Sequence, residues 1–144
     1  MADTFTRAQR SKIMRSVRST GTSPEKACER LMRIAKIRFR KHPKNLAGRP
    51  DFVLPDSGVA VFVNGCFWHG HEGCEHSSLP SSNVEYWEGK IGRNRRRERQ
   101  VRRLLRKAGW RTAVLWECKL RNVGSVTRRL VRLSKPLGGG KKLR

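Results

Sequence analysis

GRPDFVLPDSGVAVFVNGCFWHGHEGC, residues 48–74, decides how this chain is read. Asp51 opens an apolar run, Asp51-Phe52-Val53-Leu54, which reads as a strand. Pro55-Asp56-Ser57-Gly58 is a turn sequence, and Val59 to Asn64 is a second strand-length run. Two apolar runs across so short a turn predict an antiparallel hairpin. A knot of Cys66, Phe67, Trp68, His69, His71 and Cys74 follows. One stretch thus holds an acid suited to a metal, histidines suited to proton transfer, and aromatics beside both.

The flanks supply helices and charge. Ser23-Pro24-Glu25 reads as a helix start, with Ser23 as N-cap, and Ala27, Leu31, Ile34 and Ala35 continue it to about Lys36. Cys28 on that helix reads as a buried thiol. Ile37 to Lys41 alternates like a half-buried strand, and Pro43 to Gly48 is loop. Val84, Trp87, Ile91, Val101, Leu104, Leu105 and Ala108 form one helical stripe, and Gly109 stops it. Arginines 93, 95, 96, 97, 99, 102 and 103 cover the opposite face. Thr112 to Trp116 is a further buried strand, and Val123, Val126, Leu130 and Leu133 mark a last helix. The order α-β-β-β-α-β-α predicts an α/β fold, one mixed sheet flanked by helices. Residues 1–22 form a basic N-terminal arm, 23–134 a single domain, and 135–144 a basic tail that frays.

The chain has 144 residues, enough for one real core, and a formal charge of +23. A pI near 11.6 favours a phosphate-rich partner. Residues 89–144 alone hold twenty Lys and Arg against only Glu98 and Glu117, a track for a phosphate backbone. No stretch approaches the ~18 apolar residues of a membrane span, and no apolar secretory segment opens the chain. The expectation is a cytosolic protein with reduced thiols.

Cys66, His71 and Cys74 follow a C-x4-H-x2-C spacing, and Cys118 ends the later strand. Together they fit a closed tetrahedral zinc site of structural type, with His69 or His76 as alternatives to His71. Asp51 at a strand start suits Mg²⁺, and His69 suits proton transfer at neutral pH. The adjacent pair Phe67-Trp68 reads as a wedge for bases. Trp87 alone reads better as core.

These residues resemble the very-short-patch repair endonucleases, the Vsr family, over about residues 8–122. The likeness rests on Arg10-Ser11-Lys12-x-Met14, Glu25, Gly48-Arg49-Pro50-Asp51-Phe52-Val53, Gly65-Cys66-Phe67-Trp68-His69-x-His71, Trp87-x-x-Lys90-Ile91-Gly92-x-Asn94, and Gly109-Trp110-Arg111 through Trp116-Glu117-Cys118. It implies a restriction-endonuclease-like fold with a structural zinc. It also implies a Mg²⁺-dependent nick in one strand, beside the thymine of a T·G mismatch left by deaminated 5-methylcytosine. By position, Asp51 and the backbone carbonyl of Val63 would hold Mg²⁺, His69 would be the catalytic histidine, and Glu25 an acidic helper. Cys66, His71, Cys74 and Cys118 would hold zinc. Phe67, Trp68 and Trp87 would enter the base stack from the major groove and Met14 from the other side, with Lys90 and Asn94 also on DNA. The implied setting is a monomer at the bacterial nucleoid, with mismatch-repair proteins such as MutL among its partners.

Three departures from the family pattern stand out. Nucleases of this fold carry a second acid and a lysine on the strand after the metal-binding Asp, where this chain has Val63-Asn64-Gly65. Asn64 stands where relatives have histidine. Gly73 shifts the third zinc ligand by one residue. Competing readings are a related nuclease with another mismatch or modified-base specificity, a non-catalytic zinc-stabilised DNA-binding module, and a basic RNA-binding protein.

Overall fold

Six consecutive residues, Val59–Asn64, are buried on both faces, so the second run of the hairpin is a central strand. The computed structural model describes residues 6–9 and 21–136. Met14 and most of the basic arm and tail lie outside the described residues. Four strands form one sheet in the order β1 (Arg40–Lys41), β2 (Phe52–Leu54), β3 (Val59–Asn64), β4 (Arg111–Trp116). β2 pairs antiparallel with β1 and β3, with Phe52 opposite Val61. β3 pairs parallel with β4, with Val63 beside Leu115. A parallel neighbour needs a long crossover, and the 24-residue helix α2 (Val84–Lys107) lies within it. The expected mixed α/β sheet is the one observed.

Alternation along β3 divides the core. Val59, Val61 and Val63 face α1 (Ser23–Ile34) and α3 (Val123–Ser134), packing with Cys28, Met32, Leu115, Val126 and Leu130. Ala60 and Phe62 turn to the other face, where Leu105 of α2 and Trp110 close a smaller cluster. Three layers result, with α2, which carries eight arginines, on the face opposite α1 and α3.

Several boundaries moved. The N-cap of α1 is Thr22, not Ser23: Thr22 is extended, with φ −70° and ψ 162°, and its hydroxyl accepts from the Glu25 N–H. Glu25 reaches back to accept the Gly21 N–H at 2.9 Å, so Thr22-x-x-Glu25 closes a variant of the capping box. The helix stops at Ile34 rather than near Lys36. Lys36 takes the left-handed conformation, φ 57°, and its N–H and that of Ile37 bond back to Arg33 and Met32, a Schellman stop. That stop, with His42 at φ 45°, leaves only Arg40–Lys41 of the expected Ile37–Lys41 strand in the sheet. On α2 the stripe is narrower than its sequence suggests. Trp87, Ile91 and Leu105 are buried, while Val84 and Leu104 are exposed. Leu104 lies one residue, about 100°, round the helix from Leu105, too far to share its seat.

Core placement sets a clear contrast in stability. Leu130→Ala should cost about 2–5 kcal/mol in urea unfolding, because its side chain is fully enclosed. Ile34→Ala, at 71% exposure, should change stability by less than about 0.5 kcal/mol.

Candidate active site

Pro50 has no N–H, and the β2–β3 register carried two residues past Phe52–Val61 sets it across from Val63. The ladder ends there. The Val63 N–H turns to the Asp51 carboxylate instead, donating to Oδ2 at 2.7 Å. The Val63 carbonyl, on the same strand edge, gets no N–H from Pro50 and is left for another partner. Asp51 and the Val63 carbonyl thus share the corner where the two strands part.

Glu25 comes to the same corner from the first turn of α1 and is 4% exposed. His42, just past β1, joins it: Nε2 lies 2.9 Å from Glu25 Oε2, and the His42 N–H donates to the Asp51 carbonyl at 3.0 Å. Ligand atoms of Glu25, His42 and Asp51 all fall within 4.8 Å of one another. Burial pushes the Asp51 carboxyl up to about 7, against the pull of the Val63 N–H, and the Glu25 charge adds to the rise. A buried acid and a half-buried one repelling each other are the arrangement a divalent cation relieves.

Across the cleft stands a second set. His69 Nδ1 is 3.2 Å from Glu98 Oε2 on α2, and Asn64 Nδ2 donates to the same oxygen at 3.0 Å. Burial raises the Glu98 carboxyl, but His69, Asn64 and Arg102 outweigh it and hold the group below its ordinary value. An anionic Glu98 fixes the proton on Nδ1 and leaves Nε2 of His69 for proton transfer. A cleft of about 610 Å³ joins both sets and is also lined by Trp68, Lys90 and Asn94. Asn94 Nδ2 donates to the Trp68 carbonyl at 2.8 Å, fixing the aromatic loop to α2.

Phe67, Trp68 and Trp87 form one aromatic cluster, with ring centroids 5.0 to 6.3 Å apart. Phe67 and Trp68 are half-buried, and Trp87 is 7% exposed, as its reading as core implied. Tyr86, unmarked in the sequence reading, packs edge-on to Trp87 at 4.8 Å.

All four cysteines are free, and Cys66, His71, Cys74 and Cys118 gather with ligand atoms within 4.8 Å. His71 Nδ1 and Cys118 Sγ are 3.5 Å apart. A tetrahedral zinc with Zn–N of about 2.05 Å and Zn–S of about 2.3 Å would set them about 3.6 Å apart, so the donors fit. His71 also stacks on Trp116, centroids 4.1 Å apart at 8°. The two alternatives are occupied elsewhere, His69 by Glu98 and His76 beside Glu75. Gly73, at φ 70°, turns the chain so that the extra residue is absorbed and Cys74 still reaches the cluster.

Glu98 and His42 are the site residues sequence reasoning missed. Glu98 had a signal, being one of two acids in the strongly basic stretch 89–144. His42 had none, because only the β1–β2 pairing brings it to Glu25.

A central mixed sheet with acids at the parting of two strands, an imidazole–carboxylate pair opposite and an arginine-covered helix defines a nuclease. The DNA mismatch endonuclease Vsr family model matches residues 2–76, and this chain belongs to that family. The fold is accordingly restriction-endonuclease-like. Among its relatives, a type II nicking enzyme, V.XorIIP, of Xanthomonas oryzae pv. oryzae is 43% identical over 94% of this chain and 99% of its own length. The DNA mismatch endonuclease Vsr of Escherichia coli is 39% identical over 88% of this chain and 81% of its own. A third, the type II nicking enzyme V.NmeAIP of Neisseria meningitidis, is 38% identical over 92% and 94%. No helix among the described residues is long and apolar enough to cross a membrane.

A raised Asp51 gives folding a pH dependence of definite sign. The folded chain holds that proton more tightly than the unfolded one, so the stability it confers is complete below an ordinary carboxylate pKa of 3.8 and lost as pH rises through about 7. In protein free of Mg²⁺, Asp51→Asn should therefore be more stable than wild type by about 1–3 kcal/mol at about pH 8, the gap closing toward about pH 4 in urea melts. For the cysteine cluster, Cys118→Ser should weaken the binding of added Zn²⁺ by about a hundredfold or more, measured by chelator competition, and remove the rise in melting temperature that Zn²⁺ gives.

Proposed function

We propose that this chain is a Mg²⁺-dependent, strand-specific endonuclease that nicks DNA beside the thymine of a T·G mismatch. The observation that carries the reading is the cleft in which Asp51 with Val63 faces His69 with Glu98, next to the Phe67–Trp68–Trp87 cluster. Asp51 and the Val63 carbonyl would hold Mg²⁺, with Glu25 behind them. The ion supplies charge neutralisation at the scissile phosphate and a more acidic bound water.

The remaining work falls to the chain itself. The Val63 N–H and the strand ends fix the Asp51 carboxylate, so no reorganisation is needed when substrate enters. Nε2 of His69 passes a proton at the reacting phosphate while Glu98 holds the ring, and Asn64 holds Glu98. Asn64 thus braces the one imidazole rather than adding a second proton carrier. Phe67 and Trp68 press into the base stack with Trp87 packed behind them, a distortion least costly at a weakened pair. Lys90 and the exposed arginines of α2 bind phosphates, with zinc at Cys66, His71, Cys74 and Cys118 stiffening the aromatic loop's base. Met14 would enter from the opposite groove. Two of the relatives named above are type II nicking enzymes, which supports a single-strand cut.

End-labelled duplexes with T·G, other mismatches or matched pairs, each with Mg²⁺ or a chelator, test this. The expected result is a Mg²⁺-dependent cut in the thymine strand of the T·G duplex alone. Asp51→Ala should keep binding within about threefold and lose about a thousandfold or more in rate. Cutting of all duplexes would discard the mismatch specificity. Binding without any cutting would leave a DNA-binding module.

A further inference from the structure

His42 has no part in the chemistry above, yet it is tied to both acids. Its ring nitrogen meets Glu25 at 2.9 Å and its N–H meets the Asp51 carbonyl at 3.0 Å. Its backbone is held at φ 45°, a conformation that costs a non-glycine residue energy and persists where surroundings impose it. The side chain is about a third exposed, so the ring edge is open to solvent and to a small ion, whereas Glu25 is nearly enclosed.

The donor separation is what an ion needs. Two neighbouring ligands each about 2.1 Å from an octahedral cation lie about 3.0 Å apart, close to the His42–Glu25 distance. Asp51 engages Val63 through Oδ2, which leaves Oδ1 as its second ligand atom. Oxygen-only sites suit Mg²⁺, whereas an imidazole donor shifts preference toward first-row transition ions.

We propose that His42, Glu25 and Asp51 form a mixed imidazole–carboxylate site in which Nε2 of His42 ligates the cation directly, so that Mn²⁺ binds more tightly than Mg²⁺. This rests on the metal-dependent nuclease reading and deepens it: the chain's cation site is broader than the Asp51–Val63 corner. His42 also displaces its own hydrogen bond from Glu25 when the ion enters, so the acid exchanges one partner for another without being left unpaired.

The test is Mn²⁺ titrated into the full-length, zinc-loaded protein, with free Mn²⁺ followed by electron paramagnetic resonance and bound Mn²⁺ by electron spin echo. Zinc loading keeps His71 occupied. Expected are one bound Mn²⁺ that Mg²⁺ displaces only at about tenfold or greater excess, and an echo modulated by a directly bound nitrogen. His42→Gln should abolish that modulation and weaken Mn²⁺ about tenfold, with Mg²⁺ affinity changed less than about threefold. His69→Ala should keep the modulation, which attributes it to His42 even if His42→Gln does not fold. Absence of Mn²⁺ binding, bound Mn²⁺ without nitrogen modulation, or modulation lost in His69→Ala would each overturn the proposal. The nuclease reading is judged apart, on wild-type nicking with Mg²⁺, and cutting without nitrogen-bound Mn²⁺ sinks only the His42 site.

Discussion

The hydrogen bond from the Val63 N–H to the Asp51 carboxylate is the joint between the fold and the chemistry. It forms where the β2–β3 ladder ends at Phe52–Val61, beyond which Pro50 has no N–H to continue the pairing. A ladder that ran on would have used the Val63 N–H for main-chain pairing and left the half-buried acid without its donor. Instead the sheet stops where the acid begins, and backbone groups released by the stop serve the side chain. β3 can carry this because it is enclosed on both faces and paired on both edges, which makes its end a rigid place to build.

From that strand end the chain sets two sites back to back. Asn64 reaches Glu98 on α2, and two residues later Cys66 enters the cysteine–histidine cluster with Cys118 beyond β4. The loop between Cys66 and Cys74 is therefore fastened at both ends and at its middle, where Asn94 takes the Trp68 carbonyl. Two aromatic side chains on so constrained a loop keep part of their surface outside the core. The loop's rigidity is what keeps them from collapsing inward.

Charge works at two scales. Over the whole molecule +23 favours a polyanion, an effect of range comparable to the Debye length. Locally the cleft mixes both signs, with Glu25, Asp51, Glu98 and Glu117 lining it beside Arg49, Lys90 and Arg97. The basic surface draws a phosphate backbone in, while the acids that face it there call for a cation between them. A binding module would have no reason to hold two repelling carboxylates together, and a basic RNA-binding surface none to aim an imidazole–carboxylate pair into the same cleft.

How much of this was legible in the sequence follows from the range of each signal. The hairpin, the order of helices and strands, the Gly109 stop and the C-x4-H-x2-C spacing are local, fixed by period, turn chemistry and near-neighbour geometry. Asp51, His69 and the four metal-type ligands could be named for the same reason, since most lie within one stretch. Helix and strand ends moved by a residue or more because caps and left-handed residues at Thr22, Lys36 and His42 decide them. Choosing among His69, His71 and His76, pairing Glu98 with His69, and bringing His42 to Glu25 required the tertiary structure. Those contacts span 17 to 47 residues of chain. No local propensity encodes them, and only the closing of the sheet and the packing of α1 and α2 against it bring their atoms within bonding distance.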